Sequence, residues 1–158
     1  MKATWNVAGL AVWFAGVSAN GLAAEATYSK DIKPLFEAKC VGCHGAASPS
    51  LAEFLKDDKK FTAAMKGPRM DSYADIIMLV GWPDTGAVMR RLDDGKSAGG
   101  KPGNMYQYLG TTDEERQKNL QTFKDWVGPE GWVMNRFKAR GNVPGISKEQ
   151  LEKILVKY

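Results

Sequence analysis

The chain of 158 residues has one histidine and two cysteines, and all three fall within five positions, Cys40-Val41-Gly42-Cys43-His44. That scarcity excludes several chemistries. A structural zinc site needs four protein ligands, and this set stops one short. A disulfide between Cys40 and Cys43 would close a tiny loop and constrain little. A thioredoxin-like centre uses the same cysteine spacing but wants a preceding strand in a βαβ setting. Strand-type alternation is missing along the whole chain, as are an internal repeat and a second copy of the pentapeptide. There is no aromatic–basic pattern of the kind that binds nucleic acid. Long apolar runs are lacking too: Trp5 to Val17 falls short of the roughly 20 residues of a membrane span.

What is present begins with that short run. Lys2 precedes it and small residues from Ser18 to Ala26 follow it, the pattern of a secretory signal peptide. Residues 1–24 are expected to be removed, with cleavage possible up to residue 26. No cysteine lies in this leader, so lipid modification is not expected. The mature protein is expected outside the cytoplasm, in the periplasm, with no membrane span of its own.

The pentapeptide has its own chemistry. Two thiols one helical turn apart can add to the two vinyl groups of a single haem, and the histidine that follows can turn under the ring to bind iron. Export fits, because bacterial covalent haem attachment takes place outside the cytoplasm. One haem c per chain is expected, attached at Cys40 and Cys43 and ligated by His44.

The mature chain reads as all helix. Asp31 or Ser29 should open a first helix with Pro34 in its first turn, and Ile32, Leu35 and Phe36 share its apolar face. That helix runs into Cys40. Capping pairs then recur: Ser50 with Glu53, Asp57 or Asp58 before Phe61 and Met65, and Ser72 with Asp75. Asp84 is expected to open a helix through Val88, Met89 and Leu92. Residues 95–103 hold four glycines and a proline, which no helix or strand tolerates. Thr112 with Glu115 then caps a helix bearing Leu120, Phe123, Trp126 and Val127, stopped at Gly128-Pro129. Beyond it, a short helix near Trp132 to Lys138 and a final one opened by Ser147 with Gln150, carrying Leu151, Ile154 and Leu155, are expected.

With a single histidine, bis-histidine ligation within the chain is excluded. A thioether would raise the potential and fill the site for electron transfer, whereas an open site could bind small gases. Of the seven methionines, Met1 goes with the leader. Met65, Met78 and Met89 lie in helical apolar stripes that read as core; Met70 is in a short loop, and Met134 is near the C-terminus. Met105 follows the glycine-rich loop and can fold across the face opposite His44, so it is the expected sixth ligand, with Met89, Met70, Asn104 or a vacant site as alternatives. Trp82, Arg90, Arg91, Tyr106 and Tyr108 are candidate donors to the haem propionates.

These residues resemble the class I c-type cytochromes over Tyr28 to Val127. The resemblance implies an all-α, class I cytochrome c-like fold wrapped round the haem. Its first helix leads into the attachment motif and its late helix crosses the first, with Phe36 facing Phe123 or Trp126. Ile32 stands where many members have glycine. The proline that usually fixes the histidine's second nitrogen is not at its familiar distance; Pro49 comes closest. The division expected is 27–128 for the cytochrome domain and 129–158 for a helical C-terminal extension. The resemblance further implies one-electron transfer between redox partner proteins, with no enzymatic activity. The alternatives are a subunit of a larger oxidoreductase attached through that extension, or a gas-binding haem protein.

The formal charge of +4 loses Lys2 with the leader and is nearly balanced by two propionates. Its distribution is more telling. Arg136, Lys138, Arg140, Lys148, Lys153 and Lys157 face only Glu149 and Glu152 between Trp132 and Tyr158. Such a run reads either as a solvated face or as a docking surface for an acidic redox partner.

Overall fold

The computed structural model describes residues 25–97, 100–133 and 145–158. The leader and the basic residues Arg136, Lys138 and Arg140 lie outside the described residues, as does Met134. Among the described residues every regular element is helical.

The chain enters through a wide turn, Tyr28–Ile32, continuous with α1, Lys33–Lys39. Its cap is Thr27, not Ser29 or Asp31. The Thr27 hydroxyl accepts from the Lys30 amide, while the Asp31 carboxylate accepts from the Thr27 amide at 2.8 Å. Two donors that a helix start leaves unpartnered are thereby satisfied. Pro34 sits in the first turn of α1, as expected. Cys40 ends α1 with its amide on the Phe36 carbonyl, and the one-turn helix α2, Val41–His44, follows directly.

Helix α3, Leu51–Lys56, begins with the reciprocal Ser50 and Glu53 pair, and α4, Asp58–Ala63, begins at Asp57. The latter stops two residues before Met65, which has a positive φ of 54° and is 71% exposed. Met65 is therefore a turn residue and not part of an apolar stripe. Helix α5, Tyr73–Val80, is capped by Ser72 and closed by Gly81 as expected.

Helix α6, Ala87–Leu92, departs from expectation at its start. It is entered through Gly86, whose φ of 80° makes the corner, and the Asp84 carboxylate is taken instead by the Arg90 guanidinium at 2.5 Å. A charged partner competes well with a backbone amide for one carboxylate. A 3-10 turn, Tyr106–Leu109, then leads into the longest helix, α7, Asp113–Val127, capped by Thr112.

The late helix organises the core. Leu120, Phe123, Trp126 and Val127 are each at most 1% exposed, and they pack with Ile32, Ile76 and Val80 in one cluster. Full burial is worth about 1.5–3 kcal/mol for each such side chain. The Tyr28 ring lies 6.3 Å from that of Trp126, at one end of α7, and Lys39 reaches Glu115 at 2.5 Å at the other. The entry segment and α7 therefore run in opposite senses, and they meet where Ile32 replaces the small residue expected at this crossing.

Beyond α7, Gly128 adopts a φ of 92° and Pro129 restarts the chain in the one-turn helix α8, Pro129–Trp132. Pro suits this first helical position; the helix expected near Trp132 to Lys138 lies, from residue 134 on, outside the described residues. The last helix, α9, Lys148–Leu151, has the expected Ser147 and Gln150 cap but is a single turn, so Ile154 and Leu155 lie past its end. They belong to a returning strap. Leu155 and Val156 donate to the carbonyls of Val127 and Trp126, and the Lys157 carbonyl accepts from the Tyr28 amide at 2.7 Å and the Trp126 indole at 2.8 Å. The carbonyls at the end of α7 have no partners within the helix, and the strap supplies them. No helix among the described residues is long and apolar enough to cross a membrane.

Candidate haem site

The site is built on the junction of α1 and α2. Cys40 is the pivot: its carbonyl accepts from both Cys43 at 3.1 Å and His44 at 3.0 Å, so one tight turn carries all three functional side chains. Both cysteines are free and partly exposed. Burial, followed by the neighbouring Cys43, pushes the Cys40 thiol up to about 11. The thiol is therefore protonated at neutral pH and inert as a disulfide nucleophile, which needs the thiolate.

His44 is held from behind. Its Nδ1 lies 2.8 Å from the Pro68 carbonyl oxygen. A carbonyl can only accept, so Nδ1 carries the proton and Nε2 is left with a free lone pair. Burial pulls the imidazolium below its ordinary range, the Pro68 bond acts the other way, and Arg91 adds to the lowering. The ring is thus neutral at neutral pH, the form that binds a metal.

Three backbone bonds lace the 66–70 loop to the motif. Gly67 donates to the Cys43 carbonyl at 2.9 Å, Met70 to the His44 carbonyl at 2.9 Å, and Arg69 to the Pro49 carbonyl at 2.8 Å. Gly67 is required by contact: a Cβ there would stand 2.1 Å from His44 Cε1. Sequence reasoning missed both Gly67 and Pro68. The signal available was the Gly-Pro pair itself, and α3 and α4 place it 24 residues from His44.

The methionines now separate by location. Met70 is tied to the His44 backbone and belongs to the histidine side. Met89 is 2% exposed within the α6 core, and Met65 points to solvent. Met105 is partly buried against the core and reaches α6, where its amide donates to the Arg91 carbonyl at 2.9 Å.

Several of the candidate propionate donors have protein partners. Arg90 pairs with Asp84 and also donates to the Thr85 carbonyl at 2.9 Å; Arg91 donates to Asn104 at 2.8 Å, and the Tyr106 hydroxyl accepts from Gln117 at 2.7 Å. Trp82 and Tyr108 are exposed. The donor set on the pentapeptide fits haem: two thiols one turn apart and a neutral imidazole whose Nδ1 is engaged and whose Nε2 is left as the donor.

Residues 27–158 match the family model of the PccH cytochrome c. The chain belongs to that family. The PccH cytochromes are monohaem c-type proteins that transfer electrons, so this chain carries one covalently bound haem c. It is also similar to a solved structure, the monohaem cytochrome PccH from Geobacter sulfurreducens, at 51% identity and a TM-score of 0.72, covering 85% of this chain and 99% of that one. No curated protein matches the chain. The helical architecture agrees with the monohaem cytochrome c fold of this PccH relative.

Proposed function

We propose that this chain is an exported one-electron shuttle of the periplasm and not an enzyme. Cys40 and Cys43 would form the two thioether links to the haem, and His44 Nε2 and the Met105 sulfur would ligate its iron. Residues 1–24 act as the export signal, with cleavage possible up to residue 26. Residues 27–128 hold the haem, and 129–158 brace them.

The observation that carries this reading is the 2.8 Å bond from His44 Nδ1 to the Pro68 carbonyl. It sets the tautomer, which leaves Nε2 as the lone-pair donor, and raises the basicity of the ligand. When bound, the haem supplies a metal centre that cycles between ferric and ferrous states. The chain holds its ligands on packed elements, so a change of charge needs little rearrangement of the protein. The partly exposed Cys40 and Cys43 keep the attached edge near the surface, where a docked partner can exchange an electron.

The strap from Ile154 to Tyr158 supports a free shuttle over a permanent subunit, because its backbone is engaged with α7 and Tyr28. Docking of acidic redox partners near the C-terminal stretch remains part of the proposal, in a narrower form. Lys153 is already 3.3 Å from Glu130, Lys148 is 4.0 Å from Glu152, and Lys157 pairs with Glu25. The remaining basic residues of that run, Arg136, Lys138 and Arg140, lie outside the described residues.

A redox titration with spectra of both states tests the reading. A low-spin haem, a near-infrared thioether band lost in Met105→Ala, and indifference to carbon monoxide are expected. A high-spin ferrous form that binds carbon monoxide quickly would replace the shuttle with a gas-binding protein. Co-purification with a dehydrogenase would replace it with a subunit.

A further inference from the structure

Asp93 is fully buried, and none of the parts described above uses its side chain. It stands at the end of α6, where its carboxylate accepts from three N–H donors. Oδ2 takes the amides of Gly95 at 2.8 Å and Ser97 at 3.2 Å, and Oδ1 takes the indole of Trp132 at 3.0 Å. A buried carboxylate is tolerated where hydrogen bonds replace water. The donor that arrives from another element is Trp132, itself 2% exposed and carried by α8 beyond the late helix.

The backbone of the same corner faces the methionine loop. The Asp93 carbonyl accepts from Gly103 at 2.8 Å, and the Arg91 carbonyl accepts from Met105 at 2.9 Å. These carbonyls close α6 and have no partner within it; the returning chain fills them. Little drift is possible, because a Cβ on Gly103 would stand 2.3 Å from the Arg91 carbonyl oxygen. Met105 is thus docked on the end of α6, and the Asp93 side chain fastens that end to Trp132.

We infer that the Asp93–Trp132 hydrogen bond positions the Met105 loop, which makes Trp132 a positioning residue for the sixth iron ligand. The inference rests on the Met105 assignment. Without the indole, Oδ1 loses its partner in the interior and the end of α6 opens toward water. The Met105 sulfur then leaves its place more often.

Trp126 provides the comparison. It too is buried, and its indole donates one bond, at 2.8 Å, to the Lys157 carbonyl on the strap instead of to the Asp93 corner. The test uses the full holoprotein as Trp132→Phe, Trp126→Phe and Met105→Ala, with the rate of carbon monoxide binding to the ferrous form and the near-infrared thioether band as readouts. Trp132→Phe is expected to bind carbon monoxide about tenfold faster than the parent, the population change that loss of one bond to a buried acceptor brings. Trp126→Phe is expected to stay at the parent rate. Equal rates in the two tryptophan variants overturn the inference, since a merely structural role would treat them alike. If the band survives Met105→Ala, the ligand assignment fails and takes the inference with it. If the band is lost there while Trp132→Phe keeps the parent rate, the inference fails alone. Should Trp132→Phe not fold, β-(3-benzothienyl)alanine incorporated at position 132 replaces it, since it keeps the shape of the indole and removes only its N–H donor to Asp93: faster binding supports the inference, and the parent rate overturns it.

Discussion

Replacing Gly67 with alanine is the sharpest perturbation of the His44 support. The new methyl would stand 2.1 Å from Cε1, 2.6 Å from Nδ1 and 2.8 Å from Nε2 of the ring. Ordinary carbon contact begins at about 3.5 Å, so ring and loop must separate by about 1.4 Å. Pro68 is the next residue, and a shift of that size breaks its 2.8 Å bond to Nδ1. Overpacking typically costs about 1–3 kcal/mol and the lost hydrogen bond about 1 kcal/mol more. The sum corresponds to a fall in Tm of about 10 °C for a chain of this size. The potential should respond as well. A histidine that loses its acceptor becomes a weaker donor to iron, which disfavours the ferric state and raises the potential. A three- to tenfold change in the redox equilibrium is a rise of about 30–60 mV. Thermal unfolding and a redox titration measure both effects. Gly42→Ala is the control within the same motif, because an added Cβ there meets nothing within 4 Å, and it should leave both quantities unchanged. Gly67→Ala with the parent Tm and potential would refute the reasoning.

Other outcomes follow from the same geometry. The Lys39 hydrogen bond, helped by Thr111, holds the Glu115 carboxyl down at about 2. A depressed acid stabilises the fold above its unfolded pKa, near 4.5, and loses that contribution as pH falls toward 2. Glu115→Gln should therefore flatten the decline of the urea midpoint between pH 4.5 and 2. Tyr73→Phe removes the 2.6 Å bond from its hydroxyl to the Val156 carbonyl and should destabilise the protein by about 1 kcal/mol, seen in urea unfolding. Thr112→Ala removes the cap on α7 and should cost about 1 kcal/mol by the same assay, with the haem spectrum unchanged.

The attachment motif, the helix caps at Ser50, Ser72, Thr112 and Ser147, and the apolar stripe of α7 were legible in the sequence. Each is a local rule: a cap needs a hydroxyl and an amide three residues on, and the motif is contiguous. Asp84 shows where such a rule fails. Its carboxylate had a choice of partners, and Arg90, brought round by the fold, outcompeted the backbone amide. Met65 failed differently, because helical periodicity does not reveal that α4 stops at Ala63.

The sequence by itself determined that this is a helical, monohaem chain whose single histidine excludes bis-histidine ligation within the chain. The haem attachment proposed at Cys40 and Cys43, with His44 as ligand, depends on adjacency, which a sequence states directly. Tertiary structure alone decided what stands behind that histidine. Pro68, missed in the sequence, became its hydrogen-bond acceptor only when the 66–70 loop folded back over the motif. Glu25 and Glu130 reached the lysines of the basic C-terminal run, and Trp132 reached Asp93. These partners are distant along the chain. Burial and backbone hydrogen bonding bring them together, and neither leaves a mark at fixed spacing.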